Sequence, residues 1–338
     1  MMRVSIICFS LLLLVLAGFG IAENPQLPIQ ITNDLYWISY QTTDSTNTKV
    51  VTFLMQIDST GKVVRAPEQV SGGLTISQHG ANQINLWDCC AAGERAVIDK
   101  GTLNVVKTVQ TNIEDVSYAT QKAHGNFVTY TYSDSYKPSL KFFRVSPTGV
   151  PSGATWVMTS ENGSECEFLQ SICPSGAISS DGRTVLWFVN GFFGSSLSIQ
   201  PLKRSGKPDG SERFVTEGGS RLYGGAVSNV LPDGRVFVVY VANGGDAALP
   251  QLFLQAVDRQ TGKKAGDSIL LKKRFKPDYY SATLVIDPSA HFIVYRSGKR
   301  KAGSLRFQAL DATGHPSGKA TLLVKLTGSP SGISLLKD

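Results

Sequence analysis

The stretch Leu197-Ser198-Ile199-Gln200-Pro201-Leu202-Lys203-Arg204-Ser205-Gly206-Lys207-Pro208-Asp209-Gly210 returns later in the chain as Leu305-Arg306-Phe307-Gln308-Ala309-Leu310-Asp311-Ala312-Thr313-Gly314-His315-Pro316-Ser317-Gly318. Both begin with apolar residues at alternate positions, the period of a half-buried strand, and run into a glycine-centred turn. Leu140–Gly153 and Leu252–Gly266 fit the same frame, and Phe53–Lys62 fits its first part. The first turn glycines are Gly61, Gly149, Gly206, Gly262 and Gly314, spaced by 88, 57, 56 and 52 residues. The gap of 88 spans two units. A degenerate copy fills it over Leu74–Thr111, with strands expected at Gln83–Cys89, Glu94–Lys100 and Leu103–Gln110 and a turn at Gly101.

The part of each unit that precedes this stretch repeats as well. Ser179-Ser180-Asp181-Gly182-Arg183 leads into Thr184–Phe188, Leu231-Pro232-Asp233-Gly234-Arg235 leads into Val236–Tyr240, and Pro288–Tyr295 follows more loosely. Asp-Gly between two apolar alternating runs signals a hairpin. Each unit therefore reads as strand A, an Asp-Gly turn, strand B, a variable loop, strand C, a glycine turn and strand D. Such a four-stranded antiparallel unit, repeated at this period, is a propeller blade. The expectation is an all-β, six-bladed β-propeller with under 5% helix after Ala22.

Asp34–Gln41 is a B-type strand with no A strand before it, and Ser331–Asp338 is an A-type strand with no blade after it. The last strand is expected to complete the first blade and close the ring, which removes two open edges. In its Pro232-Asp233-Gly234-Arg235 and Ser180-Asp181-Gly182-Arg183 turns the chain resembles the secreted TolB-like six-bladed propellers, whose blades carry the Pro-Asp-Gly signature of WD40-like repeats. The resemblance covers about residues 28–338 and implies the fold; its motifs are short and name no ligand.

Met1–Ala22 reads as a signal peptide: Arg3 is its one charge, Val4–Leu16 is almost wholly apolar, and Gly20-Ile21-Ala22 offers small residues before polar Glu23-Asn24. An uncleaved anchor is the alternative reading of this stretch. The expected product is an exported protein, periplasmic or extracellular, with residues 23–338 as one propeller domain, a monomer with no membrane span after cleavage. Loss of Arg3 takes the charge from +7 to +6, with 32 Lys+Arg against 26 Asp+Glu. The densest basic runs are Lys272-Lys273-Arg274 with Lys276, and Lys299-Arg300-Lys301; no nucleic-acid motif accompanies them, and nucleic acid is not an expected partner.

Cys89, Cys90, Cys166 and Cys173 remain after cleavage, and an oxidising compartment favours disulfides. Of the three pairings, proximity favours Cys166 with Cys173; the adjacent Cys89 and Cys90, with Cα atoms about 3.8 Å apart, would be strained as a bridge. Neither pair has zinc-knuckle spacing, and His79, His124, His291 and His315 fall at separate A–B and C–D turns, so no metal and no cofactor is expected. There is no nucleophile elbow, phosphate loop or dinucleotide fingerprint.

A–B and C–D turns share one rim of a propeller, and B–C loops and D–A crossovers share the other. The former read as short and rich in glycine. The latter include Thr111–Asp115, Thr159–Ile172, Glu217–Gly224, Lys273–Tyr280, Ser133–Ser139, Asn190–Ser196 and Ala242–Gln251. Asp115, Glu167, Arg221, Tyr223, Asp278, Tyr279 and Tyr280 lie in these connections and are the candidate ligand-binding residues. Carboxylates, an arginine and tyrosines suit a peptide or glycan, with ring faces for stacking and polar tips for orientation. The reading is a non-catalytic binding or protein-interaction module, its partner a protein, peptide or glycan. The alternative is a hydrolase or lyase acting on a glycan through rim carboxylates.

Overall fold

The computed structural model describes residues 34–43, 50–87, 94–110, 116–119, 126–131, 139–145, 151–159, 175–179, 181–191, 194–216, 222–242, 250–273, 282–299, 302–327 and 332–338. All regular structure in them is β. The strands are β1 (Leu35–Thr43), β2 (Val50–Asp58) and β3 (Val63–Val70), then β4 (Thr75–His79), β5 (Gln83–Trp87), β6 (Glu94–Asp99) and β7 (Val105–Gln110). Next come β8 (Val116–Ala119), β9 (Asn126–Thr131), β10 (Ser139–Val145) and β11 (Pro151–Thr159), followed by β12 (Ser175–Ile178), β13 (Thr184–Gly191), β14 (Gly194–Pro201) and β15 (Arg213–Thr216). The last are β16 (Leu222–Val227), β17 (Arg235–Ala242), β18 (Gln251–Asp258), β19 (Ile269–Lys272), β20 (Ala282–Asp287), β21 (Ala290–Lys299), β22 (Ala302–Ala309), β23 (Thr321–Thr327) and β24 (Gly332–Lys337).

Among the described residues these form six four-stranded antiparallel sheets. Five run in chain order, and in the other β24 pairs with β1, which is followed by β2 and β3. The strand that heads each sheet touches those heading the next and the previous one: β24 meets β4, β4 meets β8, and the contacts continue through β12, β16 and β20 back to β24. This is a β-propeller arrangement.

The cores lie between sheets. On β17, Val236, Val238 and Tyr240 pack with Leu186, Leu197 and Ile199 of the preceding sheet. The alternate Phe237, Val239 and Val241 pack with Leu284, Ile286 and Ile293 of the following one. Both faces of the strand are buried, so Arg235–Ala242 reads as a continuous apolar run. Tyr36, Ile38 and Tyr40 of β1 meet Phe292, Val294 and Phe307, while Trp37 faces Ile76, Ile84 and Leu86. Tyr36 stands edge-on to Phe292 with centroids 4.9 Å apart.

Turn chemistry explains why the connections between C and D strands repeat. Asp258 Oδ1 accepts hydrogen bonds from Thr261 N (2.7 Å) and Thr261 Oγ1 (2.6 Å), and Gly262 follows at φ +73°. Asp58 does the same for Thr60 and Lys62, and Asp311 for Thr313 and His315. The expectation that these turns are short is corrected: residues 202–212, 259–268 and 310–320 form connections of 11, 10 and 11 residues. They stay ordered because buried Gln200, Gln255 and Gln308 each donate from Nε2 to the next residue's carbonyl and to the carbonyl of Gly210, Gly266 or Gly318, at 2.7–3.2 Å. Short antiparallel bridges, Leu202 with Pro208, Val257 with Lys264 and Leu310 with Pro316, complete each fold-back. The opposite rim is corrected too. Asn190–Ser196 is no loop, since β13 and β14 pair as far as Gly191 with Gly194 and leave two residues between them.

Polar ties cross between the sheets. Arg259, 4% exposed, donates to Arg183 O (2.8 Å) and Leu202 O (2.6 Å) of the preceding sheet. In the Asp181 turn, Oδ2 accepts from Val230 N of the following sheet at 2.9 Å.

Candidate binding face

Strand order divides the connections between the two ends of the sheets. At one end lie the A–B and C–D connections; at the other, β7–β8, β11–β12, β15–β16 and β19–β20 are joined. The candidate residues belong to these latter connections. Asp115, Glu167, Arg221, Asp278, Tyr279 and Tyr280 lie outside the described residues, as do Cys89, Cys90, Cys166, Cys173 and His124. Tyr223 is not in a loop: it is the second residue of β16, its backbone opposite Val241.

The A–B and C–D end has a cleft of about 650 Å³ between the C–D connections of β18–β19 and β22–β23. Arg235, Asp267, Ser268, Thr313 and His315 line it together with Ile269, Leu270 and Pro316. Arg235, Ser268, Thr313 and His315 are engaged within the protein. Arg235 pairs with Asp233 (Nη2 to Oδ2, 2.6 Å), Ser268 Oγ donates to Gln255 Oε1 at 2.6 Å, and His315 Nδ1 lies 2.9 Å from Thr313 Oγ1. Sequence reasoning passed over this cleft because it is made by two connections that were expected to be short.

The electrostatics of this end are those of a scaffold. The hydroxyls of Thr261 and Thr313 hold the carboxyls of Asp258 and Asp311 below the usual carboxylate range; backbone N–H groups of Thr102 and Arg235 do so for Asp99 and Asp233. Asp34 is held down by the hydrogen bond from Lys337. A general acid needs the reverse shift. Burial pushes the hydroxyls of Tyr240 and Tyr295 up, which keeps them neutral. His79, His291 and His315 stand at separate turns, and no group of three metal-ligating side chains occurs among the described residues.

These shifts predict an acid response. A lowered carboxyl pKa contributes stability above the unfolded-state value of about 3.9, and that contribution disappears as pH falls through the folded-state value. Thermal melts are expected to be flat from about pH 7 to 5 and to decline below about pH 4. In Asp258→Asn, which retains an acceptor but cannot titrate, the decline should be shallower. A slope identical to that of the unaltered protein would remove Asp258 from this account.

No protein-family model matches the chain, and no curated protein sequence matches it. Solved structures do. TolB from Acinetobacter baumannii aligns over 88% of this chain and 66% of its own, at 13% identity and a TM-score of 0.53. Cobalt-substituted Synechocystis apocarotenoid oxygenase aligns over 86% and 77%, at 10% identity and 0.48, and the Dos1 propeller over 83% and 68%, at 11% and 0.40. The chain thus spans about two thirds of the TolB structure, and the likeness to TolB is one of fold, a β-propeller. Among the described residues no helix is long and apolar enough to cross a membrane.

Proposed function

We propose that the protein is an exported six-bladed β-propeller, closed by β24 in the first blade, that binds a protein, peptide or glycan at the rim of D–A crossovers and B–C loops without catalysing a reaction. The six sheets, the round of contacts between their leading strands and the fold likeness to TolB support the ring. Export rests on the Met1–Ala22 pattern, which also makes Cys166 and Cys173 a disulfide. The observation that carries the reading is the A–B and C–D rim, where Asp58, Asp99, Asp233, Asp258 and Asp311 each accept backbone hydrogen bonds within their own turns. That end is scaffold, and loops on a rigid scaffold carry the binding groups.

The test is a thermal-shift and calorimetric screen of peptides and oligosaccharides against the protein and two double variants. Arg221→Ala/Tyr279→Ala is expected to abolish binding of whichever compound is found and to change stability by no more than about 0.5 kcal/mol, as exposed loop substitutions do. Asp311→Asn/His315→Ala on the other rim is expected to leave binding intact. The reverse pattern would place the working face at the cleft. Turnover of a bound glycan that disappears in Asp115→Asn or Asp278→Asn would replace the binding reading with the hydrolase or lyase one.

A further inference from the structure

In the cleft between the C–D connections of β18–β19 and β22–β23, one lining carboxylate takes no part in the turn chemistry. Asp267 is exposed, and among the described residues its carboxylate accepts no hydrogen bond and forms no ion pair. On the other connection, His315 is engaged through one ring nitrogen alone. Thr313 Oγ1 gives its single proton to Asp311 Oδ1 at 2.6 Å, so at 2.9 Å from His315 Nδ1 it is the acceptor. The neutral ring then carries its proton on Nδ1, which leaves Nε2 as an acceptor. Residues from two sheets thus bring two uncommitted acceptors to the lining of one cleft.

Comparison of the repeats shows that the turn frame requires neither residue. Asp58, Thr60 and Gly61 build the same turn as Asp311, Thr313 and Gly314, and Lys62 donates its backbone N–H to Asp58 as His315 does to Asp311. His315 therefore stands where other units carry Lys62, Lys207 and Lys263, each directly after the turn glycine. Asp267 follows Gly266, where Ser211 follows Gly210 and Lys319 follows Gly318. For the preceding pair of sheets the corresponding residues are Ser211 and Lys263, and for the last and first sheets they are Lys319 and Lys62. Only the pair Asp267 and His315 replaces those ammonium groups with acceptors.

We propose that this cleft binds an organic cation whose N–H donors sit on an aliphatic body, an alkylguanidinium or alkylammonium group. Asp267 supplies the opposite charge and His315 Nε2 a second acceptor. Ala256, Ile269 and Pro316 line the same cleft and match an aliphatic body. Its volume of about 650 Å³ falls within the roughly 300–1,000 Å³ of small-molecule sites. An anion fits less well, because the guanidinium of Arg235 already holds Asp233 through Nε at 2.7 Å and Nη2 at 2.6 Å. A metal ion would need a third protein ligand, and no group of three occurs among the described residues. The site lies at the end opposite the rim proposed above and does not rest on that reading.

The experiment titrates the purified protein with Nα-acetyl-arginine amide, agmatine and the uncharged Nα-acetyl-citrulline amide, followed by NMR at about 150 mM salt, where the screening length is about 8 Å. Both cations are expected to saturate at millimolar concentration and the citrulline amide not. Asp267→Ser and His315→Lys give each position a residue that another unit carries there, so both variants should fold, and melting temperatures verify it. Each should weaken cation binding at least about tenfold, the lower end for a hydrogen bond to a charged group. Asp209→Asn removes an equal charge outside the cleft lining and should change binding by less than about twofold. Tighter binding of the arginine amide supports the proposal with a peptide side chain as the source of the cation; tighter binding of agmatine supports it with a free compound as the source. Absence of saturable binding by either cation, citrulline amide bound as tightly, or an Asp267→Ser or His315→Lys variant that binds like the unaltered protein would each overturn it. So would loss of the arginine amide in Arg221→Ala/Tyr279→Ala with retention in Asp267→Ser, a pattern that would assign this cation to the opposite rim.

Discussion

A chain ended after Ser331 is expected to lose its cooperative thermal transition. The missing strand β24 pairs with β1 from Tyr36 opposite Lys337 to Gln41 opposite Gly332. Ile333, 7% exposed, belongs to the core between the first and last sheets, and Leu336, 1% exposed, to the core between the first and second. Their burial is worth about 1.5–3 kcal/mol each. Ser334 Oγ accepts from Ile76 N at 3.2 Å, and Lys337 Nζ donates to Asp34 at 2.6 Å and Ser289 at 2.8 Å, so the strand ties three sheets together. Truncation also opens the β1 edge. A loss above about 5 kcal/mol reaches the lower end of a typical domain's whole stability. Circular dichroism melts of the truncated chain check this, with a chain lacking Asp338 alone as the control. A native-like transition in the truncated chain would show that the fold does not depend on β24.

Gly262→Ala is expected to destabilise the protein by about 3 kcal/mol, against about 1 kcal/mol for Gly266→Ala four residues later. Both glycines have positive φ, +73° and +91°, so each alanine carries the left-handed penalty. Their surroundings differ. A Cβ on Gly262 would stand 2.6 Å from Arg213 Cβ and 3.0 Å from Phe214 O on the preceding sheet, atoms that cannot swing aside; one on Gly266 meets nothing within 4 Å. Urea denaturation of the two variants separates the backbone penalty from the contact. Equal losses would mean that the sheets part to admit the methyl group. Gly61 and Gly314 approach neighbouring sheets in the same way, at Phe307 and at Phe237 with Leu254, so the turn glycine recurs as a point of contact between sheets.

Much of the fold was legible because a repeat presents its pattern several times. The degenerate copy at Leu74–Thr111 shows how far this reached: strands expected at Gln83–Cys89 and Glu94–Lys100 are found at Gln83–Trp87 and Glu94–Asp99. Alternation and turn glycines are local, so weak copies could be placed by their strong neighbours. Loop lengths were less legible. The glycines within residues 202–212 (Gly206, Gly210) and 310–320 (Gly314, Gly318) read as tight turns, while what holds those longer fold-backs is a side chain buried inside the preceding strand, Gln200 or Gln308. That glutamine stood fourth in both quoted stretches, and its role needed a partner ten residues away.

For the candidate site, the sequence by itself determined which residue types were on hand: the tyrosines and carboxylates of the crossovers, the two basic runs and the turn aspartates. It also determined the strand period and the turn positions, because φ preferences and alternation act over a few residues. Tertiary structure decided which residues share a face. The Asp258 and Asp311 carboxylates are turn acceptors only because Thr261 and Thr313 fold back on them, and Lys272 and Lys299 belong to adjacent sheets only because β19 packs on the sheet that holds β21. Contacts between sheets join residues tens of positions apart through burial of both faces of each strand, and no local pattern in the chain records which faces will meet.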